Sequence, residues 1–431
     1  KPIAKYTKLV DKPESIRYEL DKAIYLAKSG RPGPVVLDIP YDVQWAEVDI
    51  NDLDSYKPPS SIFTPLSEIK NEIEIVINNF SNSKKPLIII GGGLRISNQT
   101  NNLKKLLEKL QIPTVSTWAA ADILDSDNQL YLGNGGRSGN RSAIYAIQES
   151  DYILCLGTRF TTKFIIDDKK FASKAKISCV DIDNGELNDG LVKIDQKINC
   201  DLGDFINEFN KNKFTYKCNE NWSNKINGLK KNNFFIDETS ISESGYVSPY
   251  KFYKALYEQL RPKSIVIPDG GMNLTWTYQC AVVKNDVRII SGLGASTMGY
   301  GISASIGAYM ATGHHIICFT GDGGLQMNIQ ELQSIAFNKL PIKIFVINNE
   351  VLGNTKFPAM KMFNRSTGND EKGGYGYPDF CKVAEAFGIK SFLIDHENKI
   401  SLIDKILDIN EPVLINVKIH PEQFMLDTPL E

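Results

Sequence analysis

The chain has 431 residues, of which 42% are hydrophobic and 23% charged, with a formal net charge of −2. That balance fits a globular protein of two to four domains and gives no reason to expect nucleic acid or an anionic membrane surface as a partner. No apolar run approaches the roughly 20 residues of a membrane span, and the N-terminal KPIAKYTKLVDKPE lacks the apolar segment of a signal peptide.

Residues 15–28, SIRYELDKAIYLAK, place Ile16, Leu20 and Ile24 on one helical face, and Gly30 suits the helix end. A buried strand, Val35 to Ile39, follows. One helix and one strand cannot bury both faces of anything, so residues 1–45 read as the tail of a domain that begins upstream. The polar, Pro-containing stretch 46–66 reads as a linker.

A second section spans 67–210, with strands expected at 86–90, 113–116, 151–156 and 176–181 and helices between them. Gly91-Gly92-Gly93 follows the first of these strands, without the GxGxxG spacing of a dinucleotide fingerprint. Residues 211–244, rich in Asn, Lys and Ser, read as a connector with a polar helix. The third section, 245–431, has strands expected at 264–268, 287–290, 315–319, 342–347 and 413–418. Its tail, PEQFMLDTPLE, is expected to be ordered only where it docks on a neighbour. Strands alternating with helices predict an α/β protein built on doubly wound parallel sheets.

Seven cysteines, at 155, 179, 200, 218, 280, 318 and 381, include no CxxC pair. Cys155, Cys179 and Cys318 lie in apolar runs and read as reduced core thiols of a cytoplasmic protein. No Cys/His cluster has zinc spacing.

The chemistry is written most clearly at 316–349. The run Ile316–Thr320 ends in Gly321-Asp322-Gly323-Gly324, a turn that lets backbone approach a phosphate while Asp322 can hold a hard cation. A helix should follow, with Asn328 and Glu331 spaced as a capping box and Leu332, Ile335 and Ala336 on one face. A second strand then ends in Asn348-Asn349. In a parallel sheet both strand ends share an edge, so Asp322 and Asn349 can converge on one Mg²⁺. The plain alternative is a Gly turn with an Asp cap beside a surface Asn pair.

This pairing resembles the signature of thiamin-diphosphate (ThDP) enzymes, and the resemblance extends over nearly the whole chain to the acetolactate synthase large subunit. SGRPGPVVLDIPYDVQ (29–44) is similar to the end of that family's pyrimidine-binding domain, and KPLIIIGGG (85–93) to the start of its Rossmann-like central domain. SGLGASTMGYGISASIGA (291–308) and GDGGLQMNIQELQSIAFNKLPIKIFVINNEVLG (321–353) are similar to segments of its diphosphate-binding domain. The resemblance implies Mg²⁺ bound by the Asp322 and Asn349 side chains and the Val351 carbonyl. It implies a diphosphate on Gly321, Gly323 and Gly324, and further cofactor contacts from Gly271, Met272 and Asn273. Met298 would wedge beneath the bent cofactor, and the Ser296 carbonyl would accept a hydrogen bond from its aminopyrimidine. The family's catalytic Glu lies in a segment expected before residue 1, so no catalytic residue is assigned, and Glu331 reads as a helix cap.

Two departures matter. The family's apolar "GMV…W" stretch is here Gly353-Asn354-Thr355-Lys356-Phe357-Pro358, a polar wall that suits a larger, hydroxylated acceptor. Segment 133–160 departs from the usual flavin loop and resembles homologues of polysaccharide clusters. FAD is therefore left open, with Arg31, Gly92, Arg159 and Asp181 at the matching positions; for Arg31 and Arg159, ion pairing is the alternative. The implied activity is decarboxylation of a 2-keto acid such as pyruvate, with transfer of the acyl anion to a second carbonyl compound. A simple decarboxylase and an inactive cofactor-binding chain stay as alternatives. The family's architecture implies a homodimer or homotetramer.

Overall fold

Each long apolar run of the sequence becomes a strand covered on both faces, and two six-stranded sheets result. The computed structural model describes residues 3–59, 64–136, 139–165, 167, 170–188, 190–216, 218–230, 241 and 243–425. Parts of the linker (60–63), of the connector (231–240 and 242) and of the tail (426–431) lie outside the described residues.

The first section forms β1 (Tyr6–Leu9) and β2 (Val35–Asp38), paired in parallel and joined by the helix Ile16–Lys28. β1 corrects the expectation of a single strand; its alternating YTKL has no apolar run to betray it. The helix turns Glu19 and Ala23 inward, and Glu19 accepts a hydrogen bond from the Tyr6 hydroxyl. The Leu20–Ile24 side of its apolar stripe is left bare. The linker folds back over this helix, with the Tyr56 ring against Tyr18 and Tyr25.

The central sheet contains β3 (Pro86–Ile90), β4 (Thr114–Ser116), β5 (Tyr131–Asn134), β6 (Tyr152–Leu156), β7 (Lys176–Asp181) and β8 (Gln196–Asn199). Its order is β5-β4-β3-β6-β7-β8, and every pairing is parallel. Ile88 and Ile90 enter one core and Leu87 and Ile89 the other, as a doubly wound sheet requires. The last sheet contains β9 (Ile265–Pro268), β10 (Arg288–Ile289), β11 (Ile316–Gly321), β12 (Lys343–Asn348), β13 (Lys390–Ile394) and β14 (Val413–Lys418). It is parallel in the order β10-β9-β11-β12-β14-β13. Among the described residues no helix is long and apolar enough to cross a membrane. All seven cysteines are free, and Cys155, Cys179 and Cys318 lie buried in their strands.

The stretch after β11 also needs correction. It forms two helices, Asp322–Met327 and Glu331–Phe337, and no capping box joins Asn328 to Glu331. The Asn328 amide instead donates to the Gly299 carbonyl at 2.9 Å, which draws it away from the helix start. Leu332 and Ile335 do face the core.

The two large sheets are fastened to each other by buried polar contacts. Asp122 takes Arg95 at 2.8 Å on one oxygen, and Arg288 at 2.8 Å and the Ile289 amide at 3.0 Å on the other. Trp118 stacks on Tyr278 at 4.9 Å with 5° between the rings.

Lys343 opens β12 with its ammonium enclosed. It donates to the carbonyls of Pro341 (3.0 Å), Ile409 (2.6 Å) and Glu411 (3.1 Å), and burial pulls its pKa down from 10.5 to about 8. The unfolded chain holds this proton to higher pH than the folded one, so the cost of the buried charge is present below about 8 and fades as pH rises from about 8 to 10.5. Urea unfolding across that window should show wild-type stability rising relative to K343M, by an amount on the order of 2 kcal/mol. A constant difference between the two would show that Lys343 does not titrate there.

Candidate active site

Strands β9, β11 and β12 lie side by side and end at one edge. β9 is followed in sequence by β10 on one side, while β11 lies on the other. The strand order therefore reverses at β9/β11 and opens a crevice beyond the strand ends.

Asp322 begins the turn after β11 and is 2% exposed. Its Oδ1 accepts the Gly323 amide at 2.8 Å, while Oδ2 has no hydrogen-bond partner among the described residues. Burial pushes this carboxyl up to about 7, against the pull of the Gly323 amide and the neighbouring Tyr375 hydroxyl. A buried carboxylate oxygen without a donor at hydrogen-bond distance is suited to a cation.

Asn349 stands just past β12, whose Ile347 is in register with Gly321 of β11. It is buried, and its amide nitrogen lies 3.7 Å from the Met272 sulfur. Glu350 adopts φ +61°, a left-handed bend that turns the chain between Asn349 and Val351. The Val351 carbonyl accepts the Gly353 amide at 3.0 Å and keeps a second lone pair. Lys418, paired with Glu350, carries positive charge toward Asp322. Among the described residues no group of three or more His, Cys, Asp and Glu could hold a metal. A cation at Asp322 would draw its other oxygens from an amide, a carbonyl and the ligand itself, a set that suits Mg²⁺.

The glycines shape a cradle. A Cβ on Gly323 would meet Leu352 Cδ2 at 2.6 Å and Met298 Cε at 3.1 Å, and one on Gly324 would meet Asp269 Oδ2 at 2.4 Å. Gly271 has φ +121°, open only to glycine. Met272 and Asn273 follow it, both buried, and Asn273 Oδ1 has no partner among the described residues. Ser296 adopts φ +49°, and its carbonyl leaves only glycine room at position 270, where a Cβ would sit 2.2 Å away. Met298 is 38% exposed with its methyl toward Gly323. Close contacts thus link Gly271, Met272, Asn273, Ser296, Met298, Gly321, Asp322, Gly323, Gly324, Asn349 and Val351 along one edge of the sheet.

Sequence reasoning did not single out Asp269, Lys163, Tyr375 or Lys418. Asp269 had a signal, an acid between a buried strand and a Gly pair, as at Asp322. Tyr375 reaches Asp322 from a distant loop and had none.

A second site opens at the other switch point, where β3 and β6 part. A cavity of about 610 Å³ is lined there by Arg31, Gly92, Arg159 and Asp181 together. A Cβ on Gly91 would lie 2.0 Å from the Gly157 carbonyl, so glycine alone lets the two turns touch. Arg31 pairs with Asp183 (2.9 Å) and Glu186 (2.6 Å), and Arg159 with Glu186 (2.9 Å). The ion pairs and the cavity positions therefore coexist. Burial raises the pKa of Asp181. Lys163 lines the far wall and donates to the Leu293 carbonyl (2.9 Å) and the Ser296 hydroxyl, so the cavity reaches the loop of the first site.

Comparison with known proteins agrees with this layout. Residues 73–209 match the family described as thiamine pyrophosphate enzyme, central domain, and residues 269–417 match thiamine pyrophosphate enzyme, C-terminal TPP binding domain. The chain is 32% identical over 430 residues to the acetolactate synthase large subunit of Lactococcus lactis subsp. lactis (strain IL1403), covering 99% of this chain and 73% of that one. It is 31% identical over 456 residues to the probable acetolactate synthase large subunit of Methanococcus aeolicus, covering 99% and 74%. It is 30% identical over 432 residues to the acetolactate synthase isozyme 1 large subunit of Escherichia coli (strain K12), covering 98% and 73%.

A cation at Asp322 would compete with a proton, since burial pushes that carboxyl up to about 7. Mg²⁺ titrated calorimetrically with inorganic pyrophosphate should therefore bind roughly tenfold more weakly at about pH 6 than at about pH 8. D322N, measured in parallel, should lose the affinity and the pH step; a step that survives in D322N would belong to another group.

Proposed function

The chain belongs to the thiamine pyrophosphate enzymes, and from that premise we propose that it decarboxylates a 2-keto acid, pyruvate first, and transfers the acyl unit to a second carbonyl compound. The observation that carries this reading is Asp322, a buried carboxylate with an unpartnered oxygen on a glycine turn, beside Asn349 at the next strand end. Bound ThDP supplies the nucleophilic carbon and the electron sink that loss of CO₂ requires.

The protein's own residues hold and orient. Asp322, Asn349 and the Val351 carbonyl would hold Mg²⁺ through their oxygens. The Gly323–Gly324 turn, bare of side chains, would lie against the diphosphate, with the Gly323 amide already donating to Asp322 Oδ1. Met298 stands against Gly323, where it can support the bend of the cofactor. The Ser296 carbonyl, packed against Gly270, would accept a hydrogen bond from the aminopyrimidine. Asn273 offers an unpartnered oxygen at the same crevice.

The acceptor is read as larger and more hydroxylated than a second pyruvate. Asn354 and Thr355 are exposed at the start of the helix Gly353–Phe363, directly after the Val351 loop. Lys356 beside them is held by Asp370 and Glu422, and Phe357 packs on Phe424 at 4.5 Å. A polar face thus replaces an apolar wall. The cavity of about 610 Å³ is where FAD would fit if the chain takes it up, with its glycine turns and with Arg31 and Arg159, which also pair with Asp183 and Glu186. We propose a homodimer or homotetramer, as the family's architecture implies, working in the cytoplasm, with which the free cysteines accord.

CO₂ release from pyruvate by the full-length protein, with ThDP and Mg²⁺, tests the central claim. Release should rise when the right carbonyl acceptor is added and fall by at least about a hundredfold in D322A. Release indifferent to every acceptor, with free aldehyde as product, would make the chain a simple decarboxylase. Purified protein should show flavin absorbance that R159A weakens; protein that takes up no FAD would leave the cavity to another ligand.

A further inference from the structure

One buried carboxylate has no part in the chemistry above. Asp269 follows β9 and is 1% exposed. Its Oδ1 accepts the Gly270 amide at 2.8 Å. Its Oδ2 accepts the Gly299 amide at 3.0 Å and the Thr320 hydroxyl at 2.8 Å. Gly301 packs beside the carboxylate, where a Cβ would lie only 3.3 Å from the Asp269 backbone nitrogen. Burial pushes the carboxyl pKa up, and these donors oppose the shift. No cation pairs with it among the described residues. Hydrogen bonds alone keep such a carboxylate satisfied in a dry place.

A turn cap needs only the Gly270 donor. The other donors come from two further segments, and each segment carries a different part of the site. Segment 296–301 holds Ser296 and Met298, and segment 320–324 holds the Asp322 turn. The fit is tight as well. A Cβ on Gly301 would stand 3.0 Å from the Asp269 Cβ, and Gly324 has no room for one at all.

We propose that Asp269 is a positioning residue that fixes the Met298 loop and the Asp322 turn in register with each other. The inference rests on reading the crevice as a ThDP site, although Asp269 itself touches no cofactor. Two acceptor oxygens are essential to it. Asparagine would offer one oxygen and turn its NH₂ toward an amide that needs an acceptor. Thr320→Val, in contrast, removes only the arm to the Asp322 turn.

The test uses the full-length protein and three readouts: ThDP affinity by calorimetry at fixed Mg²⁺, kcat at saturating ThDP, and thermal unfolding without cofactor. D269N should weaken ThDP binding by about tenfold or more and also lower kcat by about tenfold, since both arms fail. T320V should weaken ThDP binding roughly threefold and lower kcat by less than about twofold, since the Met298 arm stays. A folded D269N with affinity and kcat both within about twofold of wild type overturns the proposal. So does a lower melting temperature with affinity and kcat of the folded protein unchanged. Should D269N fail to fold, T320V decides, and unchanged ThDP affinity there overturns the proposal. Wild-type protein that binds no ThDP overturns the reading of the site itself, and the inference with it.

Discussion

How closely the turns beyond two parallel sheets can approach one another governs everything chemical in this chain. Parallel strands deliver all their C-terminal ends to one edge, and each end must then turn through space that its neighbours also need. Side chains there would hold the turns apart. At Gly91 against Gly157, Gly270 against Ser296 and Gly324 against Asp269, a single Cβ would collide with backbone or with a buried carboxylate. The same closeness brings backbone amides within reach of ligand oxygens. It also takes Asp322 out of water and leaves its carboxyl half-protonated near neutrality.

The two edges communicate through a short list of contacts. Asp122 collects two arginines and an amide from both sides of the boundary, and Trp118 stacks on Tyr278. Lys163 reaches from the central cavity to Leu293 and Ser296. A buried carboxylate between two guanidinium groups is costly to break because both arginines would lose their counter-charge. The relative placement of the two crevices therefore rests on directional bonds as much as on apolar area.

What could be read from the sequence follows from how local each feature is. The GDGG turn, the Asn348-Asn349 pair and the long strands announce themselves within a few residues, because a strand buried on both faces must be apolar throughout. β5 and β8 escaped notice because YLGN and QKIN are short and hold few apolar residues, whereas the edge strand β10 lay in the apolar run VRII. β13, at the sheet edge, also escaped. The capping box failed because Asn328 found a better acceptor in Gly299, a residue distant in the chain. Asp269 lay in plain view, but its meaning depends on donors from three segments that only the fold brings together. The loop carrying Tyr375 left no periodic or motif signal.

Arg31 has a consequence for the economy of the whole chain. It belongs to the β1–β2 unit, yet it lines the cavity of the central sheet and pairs with Asp183 and Glu186 there. Over its described residues this unit contains β1, β2 and the helices Ile16–Lys28 and Tyr41–Trp45. Any occupant of the cavity touches both bodies at once, so its binding free energy is added to the docking of the smaller one. At a hundred times its dissociation constant such a ligand contributes about 2.7 kcal/mol to the docked state. A ligand of that cavity would thus be read as stability of the contact between the two units.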